Sequence, residues 1–513
     1  MTSRHGALAG VAAAAAALGV AEPVAVLTGA RSAPLVAVGG AVVDGVPEGL
    51  KQVAIALFGV HDKTALLVGT AVLLLAFAAA VGVLAVRRGL VAGFAGIGAF
   101  AAVGVAAALT RPDAGPAAAL PSLLGAAAAG AVLWLLTAGP LAPPEPAAAN
   151  GAPVDPGQAA ARRRFLRGGG LVAAGALVAG LGGRWLATRR GVAQARAEIV
   201  LPPPADPAPA LPTGVDPDVP ELSPYVTGNA DFYRIDTALV VPRIDPADWR
   251  LRIHGRVRNP VTLRFEDLLA RPMIERYVTL ACVSNEVGGD LIGNARWLGV
   301  PLKPLLDEVQ PLDGADQVVG RSADGWTCGT PTAVLRDGRD AMLAVGMNGA
   351  PLPIAHGFPV RVVVPGLYGY VSACKWVVEL ELTSFADFDA YWVPRGWSPQ
   401  APVKTQSRID TPRSGARRRA GPVMVAGVAW AQHRGIAAVE VQVDDGPWRP
   451  ATLASTVSTD TWVQWSWRWD APPGDHVLRV RATDSTGATQ TATPSDVLPD
   501  GATGYHTVTV TVS

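Results

Sequence analysis

The chain has 513 residues, enough for about three domains at ~150 residues each, and carries 43 Lys/Arg against 42 Asp/Glu, a net charge of +1. That balance argues against nucleic acid as a partner, while 50% hydrophobic residues and a mean hydropathy of +0.29 exclude a disordered chain and set it apart from an ordinary soluble enzyme. Three cysteines exclude a disulfide-stapled scaffold and a four-thiolate metal site.

Only seven of the basic and seven of the acidic residues lie in residues 1–161. Residues 1–188 therefore read as a transmembrane α-helical bundle, since spanning the hydrocarbon takes about 20 apolar residues. Five stretches qualify: Ala7–Thr28 (weakest, because Glu22 and Pro23 interrupt it), Thr64–Val86, Leu90–Leu109, Pro121–Leu141 and Gly169–Ala187. Pro34–Val60, broken by Asp44, Pro47, Glu48 and Lys51, reads as re-entrant or interfacial. Arg4, Arg87, Arg88, Arg162, Arg163, Arg164 and Arg167 fall on one side of five spans, which places that side in the cytoplasm and everything after the fifth span outside. Ala161–Arg167 (ARRRFLR) reads either as a positive-inside stop or as a twin-arginine export signal. His5 and His61 are the only histidines in this half, so no bis-His haem is expected, and no Cys-x-x-Cys-His for a c-type haem occurs.

Residues 189–224 form a Pro-rich linker, expected to be extended and stiff and to hold the next domain off the bilayer. Residues 225–395 read as mixed α/β. Strands are predicted at Trp249–Val257, Tyr277–Val283, Phe358–Pro365 and Trp376–Leu382, and short helices at Arg264–Ala270 and Val300–Val309. Residues 400–513 carry β-like runs at Val423–Trp430, Ala438–Val443, Trp462–Trp469, His476–Ala482 and His506–Val512, separated by turns. This is the pattern of an all-β sandwich of immunoglobulin type. Trp465, Trp467 and Trp469 alternate onto one face, as core or interface residues.

Cys282 follows a predicted strand and precedes polar residues, a placement that can present a thiolate to a soft metal. His356, Arg361 and Lys375 flank a second strand, and Arg and Lys suit a phosphate. Cys328 and Cys374 read as small packing residues and His254 as a core or surface histidine. His433, His476 and His506 make no metal-like pair.

Together these motifs resemble the molybdenum-dependent sulfite oxidase family, over roughly residues 225–510. The resemblance is carried by Thr279–Asn285 (TLACVSN), Ile292–Gly299 (IGNARWLG), Met347–Gly366 (MNGAPLPIAHGFPVRVVVPG) and the upstream Phe232-Tyr233-Arg234. It implies a molybdenum–molybdopterin cofactor, with Cys282 as the protein thiolate on the metal. Arg234, Asn285, His356, Arg361 and Lys375 match positions that hold the pterin and its phosphate. It also implies two-electron oxygen-atom transfer, with the second, Ig-type domain available for a homodimer.

Two departures bear on substrate. The Arg pair that sulfite oxidases carry after the Cys motif is missing, and Glu286 and Asp290 stand there instead. The family's active-site Tyr falls at Trp326, which donates one hydrogen bond but does not titrate. A small oxyanion such as sulfite and an S-oxide or N-oxide therefore both stay open as substrates. No haem, iron–sulfur or flavin motif is visible, so electrons are expected to pass to another protein or a quinone. A reading from another class makes the outer half a non-catalytic binding relic on a membrane-tethered or transport-associated protein.

Overall fold

Glycine and alanine decide how the N-terminal helices pack. The structure, a computed structural model, describes residues 1–29, 32–46, 57, 62–111, 114–142, 156–189 and 191–513. It divides into two units, Met1–Gly191 and Val192–Ser513. In the first, helix Ser3–Thr28 packs against helices Asp62–Arg88, Leu120–Thr137 and Pro156–Arg189. A Cβ on Gly10 would lie 1.9 Å from the Ala78 carbonyl oxygen, and one on Gly82 2.0 Å from that of Gly6. Those two helices thus meet backbone to backbone, the small-residue packing that helices use in apolar solvent.

Among the described residues, four helices are long and apolar enough to cross a membrane: Ser3–Thr28, Val68–Arg88, Leu90–Leu109 and Pro116–Thr137. The first corrects the expectation of an interruption at Glu22-Pro23, because the helix continues through Pro23. Proline costs one i→i−4 bond there, and the close packing around Gly10 and Gly19 holds the helix ahead of it. The fifth expected stretch lies inside the single helix Pro156–Arg189, whose Phe165 meets the His5 ring edge-on at 5.3 Å. Pro34–Gly45 is helical; Pro47, Glu48, Lys51 and His61 lie outside the described residues.

The second unit opens with a strap rather than the free-standing spacer expected for 189–224. Pro-rich chain bonds little to itself and leaves its polar groups for neighbours. Arg196 of helix Val192–Glu198 donates to the carbonyls of Leu352 and Pro351 at 2.6 Å each. Ala205 N bonds the Met273 carbonyl at 2.8 Å, and Glu275 N bonds that of Asp206 at 2.9 Å. Asp216 accepts from Gln464 Nε2 at 2.8 Å. The segment is part of this unit's surface.

Two sheets build the α/β domain. The first runs β2–β1–β10–β5–β6, from β1 (Arg250–Gly255), β2 (Val261–Arg264), β5 (Gln317–Ser322), β6 (Thr327–Pro331) and β10 (Val377–Thr383). The second runs β3–β4–β7–β8, from β3 (Ile274–Ala281), β4 (Ile292–Pro301), β7 (Met342–Met347) and β8 (Ala350–Pro351), with β9 (Arg361–Val363) on β7. Helix Leu302–Val309 buries Leu302, Leu305, Leu306 and Val309, the i, i+3, i+4 face of an amphipathic helix.

The C-terminal domain is a sandwich of a four-stranded and a five-stranded sheet. Strands Gly421–Trp430 and Val463–Ala471 pair antiparallel in the first, and Gly474–Asp484 and His506–Val512 in the second. Trp465 and Trp469 lie in its core, with Trp467 packed against it. Trp430 and Trp462 instead join the core of the α/β domain, so the two domains share a hydrophobic interface.

Candidate active site

Cys282 sits one residue beyond the end of β3, where the strand turns into a loop that closes on itself. Cys282 N donates to the Leu291 carbonyl at 2.9 Å, and Asn285 N to the Cys282 carbonyl at 3.1 Å. Asn285 Oδ1 accepts from Leu291 N at 2.8 Å. The Asn285 side chain is 4% exposed, yet its Nδ2 has no partner. The second domain grips the same loop, as Arg408 Nη1 donates to the Gly289 carbonyl at 2.7 Å and bonds Asp410 at 2.6 Å. Sequence reasoning missed Arg408, because nothing local marks it.

Burial pushes the Cys282 thiol above its ordinary range, against hydrogen bonds from Ser284 and the field of the Lys375 ammonium, which favour the thiolate. Tyr233, which the sequence did not single out as a site residue, is half-buried within the field of Cys282. Its phenol is held well above the ordinary value by burial and by Cys282, against Arg361.

The cations come from the segment between β8 and β10. Gly357 has φ +110, and a Cβ there would lie 2.9 Å from Arg361 Cβ and 3.2 Å from Lys375 Cα. Only glycine lets His356, Arg361 and Lys375 converge so closely. The Arg361 guanidinium lies 4.9 Å above the Trp297 ring, and its Nη1 reaches the His356 carbonyl at 3.3 Å. Burial lowers Arg361 to about 10, which leaves it charged at neutral pH. Burial, then Arg361 and Lys375, lower His356 to about 4, so it is neutral there. Burial lowers Lys375 to about 8, with Asp236 opposing and Arg361 and Arg234 reinforcing. The next residue, Trp376, is a non-glycine at φ +52, the kind of backbone strain that gathers at functional sites.

Arg234 is less buried, at 39% side-chain exposure, and pairs with Asp236. Trp326 ends the turn between β5 and β6; its Nε1 is buried without a partner. No hydrogen bond or ring contact joins it to Cys282 among the described residues. Cys328 and Cys374 are buried thiols that adjoin each other beside Gly320, whose added Cβ would lie 3.1 Å from Cys328 Sγ and 3.2 Å from Cys374 Cβ. His254 bonds Glu379 at 2.6 Å. Its ligand atom and those of Glu379 and Glu381 lie within 4.8 Å of one another, but Arg321 already bridges both carboxylates at 3.5 Å.

The chain matches the oxidoreductase molybdopterin binding domain family over residues 238–392 and the bacterial Ig domain family over 406–510. It is 32% identical to the uncharacterized oxidoreductase YuiH of Bacillus subtilis over 33% of this chain and 78% of that one. It is 30% identical to the protein-methionine-sulfoxide reductase catalytic subunit MsrP of Burkholderia mallei, over 49% of this chain and 78% of that one. Mouse mitochondrial sulfite oxidase is 32% identical over 48% of this chain and 52% of its own length. The chain belongs to the sulfite oxidase family of molybdopterin-dependent oxidoreductases. It spans about half the length of the sulfite oxidases it matches.

Family membership brings a molybdenum–molybdopterin cofactor, and the residues present fit it. A thiol is the soft donor that molybdenum takes. Arg234, Arg361 and Lys375 offer a phosphate the donors it needs. Asn285 keeps a buried N–H donor without a protein partner, which fits a polar group arriving there.

Proposed function

We propose that this chain is a membrane-anchored, extracytoplasmic oxidoreductase that moves an oxygen atom and two electrons to or from a small sulfur or nitrogen compound. One observation carries the reading: a buried thiol within the field of a lysine that belongs to a cluster of buried cations. Cys282 binds the metal; Arg361, Lys375 and Arg234 hold the phosphate; neutral His356 and Asn285 offer hydrogen bonds to the pterin. When bound, the cofactor supplies the oxygen-atom exchange and the two-electron redox change. The protein buries it, orients it and shapes the approach.

Substrate charge divides two readings. Sulfite is an anion and calls for cations at the approach. Between Cys282 and Ile292 the chain carries Glu286 and Asp290, both exposed, and no Lys or Arg. Arg408 of the second domain, which reaches this loop at the Gly289 carbonyl, is paired with Asp410. This charge pattern favours reduction of an uncharged S-oxide or N-oxide over oxidation of sulfite, with Trp326 near the reacting group.

The four apolar helices anchor the chain, and the fifth expected stretch, Gly169–Ala187 of helix Pro156–Arg189, takes it across once more behind Arg163, Arg164 and Arg167, by the positive-inside rule or as a twin-arginine signal. Electrons pass to or from a separate protein or a membrane quinone. The experiment is to assay the purified, cofactor-loaded protein with sulfoxides and N-oxides plus an artificial reductant, and with sulfite plus an artificial oxidant. Oxide reduction with little sulfite oxidation is expected. Robust sulfite oxidation without oxide reduction overturns the substrate reading, and no turnover of any of them overturns the activity.

A further inference from the structure

Asp236 is the carboxylate of this site. Its side chain is 5% exposed, and its Oδ2 lies 2.9 Å from Arg234 Nε and 2.7 Å from Lys375 Nζ. Its Oδ1 accepts a longer bond from Arg234 Nη2 at 3.4 Å. One oxygen thus ties a residue two positions away to one 139 positions away. Both bonds are charge-assisted, and the pair with Lys375 is almost entirely buried.

The geometry leaves donors to spare. An ammonium has three N–H groups and a guanidinium five. Asp236 takes one from Lys375, whose Nζ is further fixed 4.7 Å from the centre of the Trp376 ring. It takes the Nε side of Arg234, leaving the rest of that fork open. The charges facing Lys375 are Asp236, Arg234 and Arg361, with Cys282 also in its field and His356 uncharged at neutral pH. Without Asp236, two buried cations and a partly buried one would repel with no counter-charge.

We propose that Asp236 is a positioning residue: it holds Arg234 and Lys375 convergent, so that their free donors receive the phosphate of the pterin cofactor. The carboxylate also repels that phosphate. Positioning outweighs this, because Lys375 without its partner either turns away or gives up its proton in a buried site. The inference rests on the phosphate-holding role given above to Arg234 and Lys375.

The test is cofactor content. Wild type, Asp236→Asn, Asp236→Glu, Lys375→Met and the Asp236→Asn/Lys375→Met double variant are produced in a cofactor-making host. Pterin per chain is read by fluorescence after acid oxidation, molybdenum by mass spectrometry and folding by circular dichroism. Asp236→Asn is expected to hold on the order of ten-fold less pterin than wild type, with unchanged dichroism. Asp236→Glu is expected to fall between the two. The double variant should lose less than the two single losses multiplied together, because the part of the Asp236 effect that runs through Lys375 is already gone while the part that runs through Arg234 remains, a coupling that a merely structural role does not produce. Wild-type pterin content in Asp236→Asn, or losses that multiply in the double variant, overturn the proposal. Should Asp236→Asn fail to fold, wild-type content in Asp236→Glu overturns it and reduced content supports it. Wild type without pterin overturns instead the site reading on which the proposal stands.

Discussion

The Trp462 amide donates to the Thr279 hydroxyl at 2.8 Å, across 183 residues of chain. The same threonine bonds the Asp460 carbonyl through its N–H at 2.9 Å and accepts from Gln432 Nε2 at its carbonyl at 3.0 Å. β3 is the edge strand of its sheet, and the second domain thereby closes that edge three residues before Cys282. An open edge is both a liability and a source of looseness; here the closure fixes the strand that delivers the thiol.

Trp462 is 2% exposed and donates its indole N–H to the Tyr225 carbonyl at 2.9 Å. Trp462→Ala is expected to lower stability by about 3–5 kcal/mol in urea unfolding. It should also speed alkylation of Cys282 in cofactor-free protein. A destabilised variant whose Cys282 reacts at the wild-type rate would separate the interface from the site and contradict this coupling.

Asp484 accepts from Thr405 Oγ1 at 2.8 Å, Arg434 Nε at 2.9 Å and Thr486 Oγ1 at 2.6 Å. Burial raises its carboxyl, but these bonds together hold it well below the ordinary 3.8. The folded state therefore binds this proton more weakly than the unfolded one. The stabilisation is complete above the ordinary carboxylate range and fades as pH falls through 3.8 and below. Asp484→Asn is expected to cost about 3–5 kcal/mol at pH 7, with the gap to wild type narrowing at pH 3. An equal gap at both pH values would show that the charge is not what matters.

Gly288 has φ +80, and a Cβ there would lie 2.2 Å from His506 Cδ2. His506 is itself fixed, its Nδ1 accepting from Ile409 N at 3.0 Å. Gly288→Ala should strain the Cys282 loop by about 1–3 kcal/mol and lower the molybdenum content. Adding His506→Ala should restore part of that content by removing the clash. Loading in Gly288→Ala equal to wild type would mean that the second domain does not constrain the loop.

Local motifs made the site partly legible in the sequence. Cys282 beyond a strand end and the run from Met347 to Gly366 lie on short continuous segments, and the structure brings His356, Arg361 and Lys375 together around Gly357. The predicted strand Tyr277–Val283 appears as Ile274–Ala281, and the sandwich strands fall where period-two alternation placed them. Asp236, Arg408 and Trp462 were not legible as site or scaffold residues, because each acts on a partner far away in the chain. The Pro-rich stretch misled for a different reason: composition reports that it is extended but not what it lies against. Pro23 misled because a proline signal is weighed without the neighbouring helices that hold the rest of that helix.

If the Cys282 sulfur binds the metal, it is one of the sulfur neighbours of molybdenum in the loaded protein. X-ray absorption at the molybdenum edge, on loaded wild type and on Cys282→Ser, tests it most directly. One fewer sulfur neighbour is expected in the variant, together with loss of turnover and an unchanged fold. Identical sulfur shells in the two proteins, with molybdenum present in both, would contradict it.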